Sequence, residues 1–200
     1  MKQRGTFIAF WLLASLLQAS AADDFLQRVR DKILNSQPFK TDFIQQVFID
    51  EEKILEESGV IIFADRSRVK WEYLNPEAKT FILQDGRYSF YDRENNQLMR
   101  GRIGARSEQL IWELLFSDRP GNASSWDAQQ RTIRLRLDGE GGVQELKIKV
   151  GTDYLPERVE QTAVNEVTTV YLFRNYRRRI TISPGEFDLA LPVDVEIIEE

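Results

Sequence analysis

Residues 39–49, FKTDFIQQVFI, alternate: Phe39, Thr41, Phe43, Gln45 and Val47 fall on one side, and Lys40, Asp42, Ile44, Gln46 and Phe48 on the other. A period of two is the spacing of a β-strand. The habit recurs in GVIIF (59–63), RVKWEYL (68–74), QLMRGRI (97–103), RTIRLRL (131–137), VQELKIKV (143–150), ERVEQTAV (157–164), TTVYLFRNYRRRI (168–180) and FDLALPVDVEII (187–198). Turn material separates them: a charged connector DEEKILEE (50–57), then ENN, DGEGG, GTD, NEV and SPGE. Many short strands with hairpin-length connections predict a mainly β fold, one antiparallel sheet strongly curved or incompletely closed into a barrel.

Two stretches follow a helical period. DDFLQRVRDKILN (23–35) puts Phe25, Leu26, Val29, Ile33 and Leu34 on one face, with Asp23 or Asp24 as cap and Pro38 preventing continuation. SEQLIWELLF (107–116) begins at Ser107, a good N-cap, and is apolar nearly all round through Leu110, Ile111, Trp112, Leu114, Leu115 and Phe116. The polar SDRPGNASS that follows suits a hinge. A second anomaly lies in KTFILQDGRYSFYD (79–92), two strands joined at the turn-forming Asp85-Gly86. Phe81 and Leu83 oppose Ile82, and Tyr88 and Phe90 oppose Tyr91, so both faces of this hairpin are apolar. A surface hairpin is ordinarily apolar on one face only. One arrangement accounts for both features: a curved sheet with a helix across its mouth, whose surplus apolar surface lines a cavity. A filled core with no cavity accounts for them equally well.

Residues 1–21 change how the chain is counted. Lys2 and Arg4, an apolar run from Phe7 to Leu17 and the small residues Ala19-Ser20-Ala21 have the pattern of a cleaved signal peptide, leaving 22–200 as a single domain exported to a periplasm. Without Lys2 and Arg4 the net charge moves from −5 to −7, which argues against general nucleic-acid binding. The sequence has no cysteine, so there is neither a disulfide framework nor a site for a lipid anchor after the signal peptide. It has no histidine either, which removes the commonest general base and, with cysteine absent, the usual zinc ligands. No catalytic, cofactor or metal site is expected.

Four motifs in order, GVIIF (59–63), W-E-Y-x-x-P (71–76), F-I-L-x-D-G (81–86) and F-Y-D (90–92), resemble the periplasmic lipoprotein carrier family LolA. Phe43-Ile44-Gln45 and the closing F-x-L-x-x-P-x-x-V of Phe187, Leu189, Pro192 and Val195 fit the same pattern. The resemblance covers essentially all of 22–200. It implies an unclosed antiparallel β-barrel with an N-terminal helix and a helical lid over an apolar cavity that holds acyl chains. It further implies a monomeric carrier that is not an enzyme, loaded by an inner-membrane ABC-type release complex and emptied by an outer-membrane acceptor protein. On that reading Phe43, Val47, Val69, Trp71, Tyr73, Phe81, Leu83 and Phe90 line the cavity, and Leu110, Ile111, Leu114 and Leu115 form the underside of the lid. One departure stands out. Family members often carry an Arg-Pro pair before the Trp strand, the arginine latching the lid; here Asp65-Arg66 occupies that place, leaving Arg66 or Arg68 as the latch.

Three function classes stay open: a carrier of lipoproteins or of another acylated lipid such as a glycolipid, a periplasmic sensor of acylated ligands, and an enzyme working with carboxylates. The run RNYRRR (174–179) also has two readings, an exposed edge strand guarded by arginines or a dock for acidic partners or anionic lipid heads.

Overall fold

A computed structural model describes residues 22–102, 123–139, 142–163 and 165–199. Helix α1 spans residues 22–36. Twelve strands follow: β1 (Phe39–Ile49), β2 (Glu52–Phe63), β3 (Arg68–Asn75), β4 (Lys79–Gln84), β5 (Arg87–Asp92), β6 (Gln97–Arg102), β7 (Ala123–Asp127), β8 (Thr132–Gly139), β9 (Gly142–Val150), β10 (Pro156–Thr162), β11 (Thr168–Arg178) and β12 (Glu196–Glu199). They form one sheet in the order β12-β6-β5-β4-β3-β2-β1-β11-β10-β9-β8-β7. Two meanders, β1 to β6 and β7 to β11, are thus joined along β1 and β11. Among the described residues every pairing is antiparallel except that of β12 with β6, and the sheet ends at β12 and β7 without closing.

The sheet is curved tightly. Trp71 on β3 and Tyr171 on β11 are separated by two intervening strands, yet their ring centroids lie 5.5 Å apart. On a flat sheet three strand spacings would hold them about 14 Å apart. Bulges at Lys40/Asp42, Val47/Phe48, Ser58/Gly59 and Pro156/Arg158 supply part of the coiling. At one of them Gly59 has no alternative: a Cβ there would sit 1.8 Å from the Glu72 carbonyl oxygen and 3.0 Å from the Phe43 ring.

The hollow so formed holds α1 and the main core. Phe25, Leu26, Val29 and Ile33 are buried with Phe39, Phe43, Ile61 and Val69 from one meander and Ile133, Ile148 and Val159 from the other. Each such side chain contributes roughly 1.5–3 kcal/mol by leaving water. The start of the helix is clamped to the β7–β10 wing: Phe25 stacks on Trp126 at 3.5 Å, and Arg131 lies over Tyr154 at 5.0 Å while donating to the Gly151 carbonyl at 2.6 Å. Asp23 and Asp24 lie inside the helix rather than capping it from outside, where acidic side chains still complement the first turn.

Four expectations need correction. The charged connector at 50–57 is mostly strand, because β2 runs on to Glu52 and its exposed face tolerates the charges. Ala123–Asp127, placed partly in the hinge loop, is strand β7 paired with β8. The C-terminal strand is confined to Glu196–Glu199 and runs parallel to β6; the chain before it is irregular. Finally, β11 is an inner strand, between β1 and β10, over Thr168–Leu172 only; the arginine run beyond it is exposed and pairs with β1 alone. Where β10 pairing stops at Leu172 its free side meets the 151–156 turn through Tyr176, whose hydroxyl donates to the Pro156 carbonyl at 2.7 Å.

The two-faced hairpin is explained by two different covers. Its outer face, with Ile82 and Tyr91 beside Ile62 and Leu98, is buried on the convex side. The C-terminal segment crosses there: Glu186 bridges Lys70 at 3.3 Å, Phe187 lies 5.7 Å from the Arg68 guanidinium, and β12 pairs with β6. That face belongs to a second core and not to a cavity.

Candidate functional site

The inner face of the β1–β6 wing can be read off the strand register. Trp71 pairs with Ile61 and Phe81, Phe81 with Phe90, and Phe90 with Met99, a row running from β2 to β6. A second row passes through Phe63, Val69, Leu83 and Tyr88. On β1, Phe43 pairs with Gly59, which pairs in turn with Tyr73. Phe43 can lie over that glycine, and its ring meets Trp71 and Tyr73 edge-on, each with centroids 5.1 Å apart. All eight residues expected to line a cavity therefore share one face, Val47 joining through its pairing with Leu55.

Their exposure divides them. Phe43, Val69, Trp71 and Leu83 are buried in the main core, so Trp71 is a core aromatic as well as an inner-face residue. Val47, Tyr73, Phe81 and Phe90 are only half-buried, and so are Tyr88 and Met99 beside them. The apolar stripe thus begins in packed core under β3 and emerges towards β5 and β6.

One end of this face is polar. The Tyr73 hydroxyl donates to the Gln45 side-chain oxygen at 2.9 Å. Beside them Glu57, only 7% exposed, accepts from Lys79 at 3.1 Å, and Lys79 reaches Glu77 at 3.0 Å. The bond with Glu77, together with Glu57, raises the Lys79 pKa above its usual value against the opposing effect of burial. A buried carboxylate needs such a partner. The face therefore offers an apolar surface ending in a paired, charged border.

The latch candidates separate. Burial alone would raise the Asp65 carboxyl, but hydrogen bonds from Arg68 and Ser67 outweigh it and hold Asp65 below its usual range. Arg68 donates to Asp65 at 2.8 Å and stacks over Phe187, on the face opposite Val69 and Trp71. Arg66 is exposed in the turn between β2 and β3. Leu110, Ile111, Leu114 and Leu115 lie outside the described residues, as do 1–21. The sequence reading missed Glu57 and Lys79, since an acidic connector gave no hint that one carboxylate turns inward. It also passed over Met99 and Tyr88, which the cross-strand register would have placed.

A profile of the family described as outer membrane lipoprotein carrier protein LolA matches residues 35–190. The chain belongs to the LolA family. Among LolA relatives, an outer-membrane lipoprotein carrier protein of Methylococcus capsulatus is 22% identical, with 86% of each chain covered. One of Helicobacter hepaticus is 25% identical over 82% of this chain and 85% of its own. In fold, the chain is similar to the crystal structure of an uncharacterized conserved protein from Thermus thermophilus, with a TM-score of 0.56 at 15% identity, covering 90% of this chain and 99% of that one. No helix among the described residues is long and apolar enough to cross a membrane.

Proposed function

We propose that this LolA-family protein is a periplasmic carrier of acyl chains, exported by the signal peptide at 1–21, with lipoproteins as its cargo. The observation that carries the reading is the half-buried apolar stripe of Phe81, Tyr88, Phe90 and Met99, continuous with the core yet not sealed by it, in a chain whose named relatives are lipoprotein carriers. On this reading Phe43, Val47, Val69, Trp71, Tyr73, Phe81, Leu83 and Phe90 meet the acyl chains, and the border of Gln45, Glu57 and Lys79 marks where the polar part of the cargo begins. Arg66 or Arg68 remains the latch on this reading; Arg68 would have to leave Asp65 and Phe187 to serve as one.

The physics requires a shield. Each methylene costs about 0.8 kcal/mol in water relative to an apolar site, so a chain of about fifteen gains on the order of 12 kcal/mol by entering one. Release into water is then prohibitive, and unloading works only by transfer to another apolar site, where the difference between the two sites decides the direction. An inner-membrane ABC-type complex would load the carrier and an outer-membrane acceptor would empty it. No bond is made or broken, so the role needs no catalytic residue.

Gentle isolation from the periplasm followed by native mass spectrometry tests the proposal. The expected result is a co-purifying acylated lipoprotein that is lost in Phe90→Glu while the variant remains folded. A bound glycolipid would keep the carrier and change its cargo. Protein that carries nothing and binds no acyl probe would make the stripe ordinary packing surface.

A further inference from the structure

The arginine run of β11 is not absorbed by the acyl-chain site. The run lies beyond Leu172, where β11 pairs with β1 alone, and its last members also meet the end of α1. Two of its members are locally committed: Arg177 bridges Asp42 at 2.6 Å, and Arg178 reaches Asp153 only at 3.5 Å. Arg179 has a φ of 56°, turning the chain out of the strand immediately after Arg178. The fold brings the last turn of α1 to the same place. Lys32, Asn35, Ser36, Arg178 and Arg179 together line an open cleft of about 360 Å³. Neither Lys32 nor Arg179 forms an ion pair among the described residues.

In a chain with 32 acidic side chains against 27 basic ones, three cations line one cleft, and only Arg178 among them has an acidic partner, Asp153 at 3.5 Å. One of its two neutral groups can also donate to an anion. Asn35 carries amide donors, whereas the buried Ser36 hydroxyl donates its proton to the Lys32 carbonyl at 2.7 Å and offers none to an anion. Guanidinium forks match the spacing of phosphate oxygens, and a lysine adds a mobile point charge.

We propose that this cleft binds a phosphate group, presented either by a phospholipid head at a membrane surface or by a soluble phosphate compound. For a protein of net negative charge, a local basic cleft would fix which side approaches an anionic surface. The inference does not depend on the acyl-chain reading.

The test has two arms. Full-length processed protein is mixed with vesicles of phosphatidylcholine alone or with phosphatidylglycerol added, and separately titrated with inorganic phosphate while the amide resonances of Asn35, Ser36 and Arg179 are followed. The double variant Lys32→Glu/Arg179→Glu is compared with Arg134→Glu/Arg136→Glu on β8, which changes charge equally. Binding that requires phosphatidylglycerol and falls about tenfold or more in the first variant only supports a headgroup. Phosphate-induced shifts at the three amides without vesicle binding support a soluble phosphate. The proposal is overturned if the unaltered protein shows neither, or if both variants lose binding equally. Binding of an acyl probe by the Lys32→Glu/Arg179→Glu variant should be unchanged, which separates failure here from failure of the carrier reading.

Discussion

At Gly59 a single missing side chain sets the packing of three strands. A Cβ there would lie 1.8 Å from the Glu72 carbonyl oxygen, which is backbone and cannot rotate aside. Gly59→Ala should cost at least about 2 kcal/mol in urea unfolding, since β2 and β3 must separate to admit the methyl. The inner-face aromatics should divide by exposure. Trp71→Ala, in the packed core, should lose about 3–5 kcal/mol. Phe90→Ala, half-buried at the far end of the same row, should lose about 1 kcal/mol of stability and a larger share of acyl-probe affinity. Equal stability losses would mean that the stripe is closed core throughout.

The elements themselves were legible to very different degrees. Period-two alternation found β1 and β3, because each buries a side that the sequence marks clearly. The turn at Asp85-Gly86 was equally plain: both residues have positive φ, 52° and 76°, as a two-residue hairpin loop requires. The outer end of β2 was hidden because its charges sit on an exposed strand face, where periodicity has nothing to report. β12 was misjudged for another reason. Its four residues are all exposed and are held by pairing with β6, a long-range partner that no local pattern announces. The cover over Ile82, Tyr91 and Leu98 was invisible on the same ground. Removing residues 186–199 should expose that second core, giving dye binding to apolar surface and a lower unfolding midpoint. A truncated chain with unchanged midpoint and no dye binding would show that the segment is dispensable packing.

For the molecule as a whole, charge sets a broad plateau of stability. Burial opposes ionisation of Asp65, Asp92 and Glu160, but hydrogen bonds from Arg68 and Ser67, from Asn95, and from Lys147 and Arg158 outweigh it, so all three carboxyls lie below their ordinary values. Their contribution is present above the unfolded values of 3.8 and 4.5 and is lost as pH falls through the lower folded ones. Lys70 lies above 10.5 because Glu72 and Glu186 outweigh its burial. Its share holds below that pH and disappears as pH rises through the folded value. With no histidine in the chain, thermal unfolding should vary little from about pH 5 to about pH 9. A steep step near neutrality would point to a titrating group outside this set.

The concave face is what makes this molecule a carrier on our reading, and cross-linking in cells tests it most directly. A photoreactive amino acid at position 90 faces the apolar hollow, and the same group at position 198 lies on the exposed edge strand. Irradiation should yield an adduct with an acylated lipoprotein from position 90 and none from position 198. Adducts from both positions alike, or from neither while the protein is folded and abundant, would contradict the account.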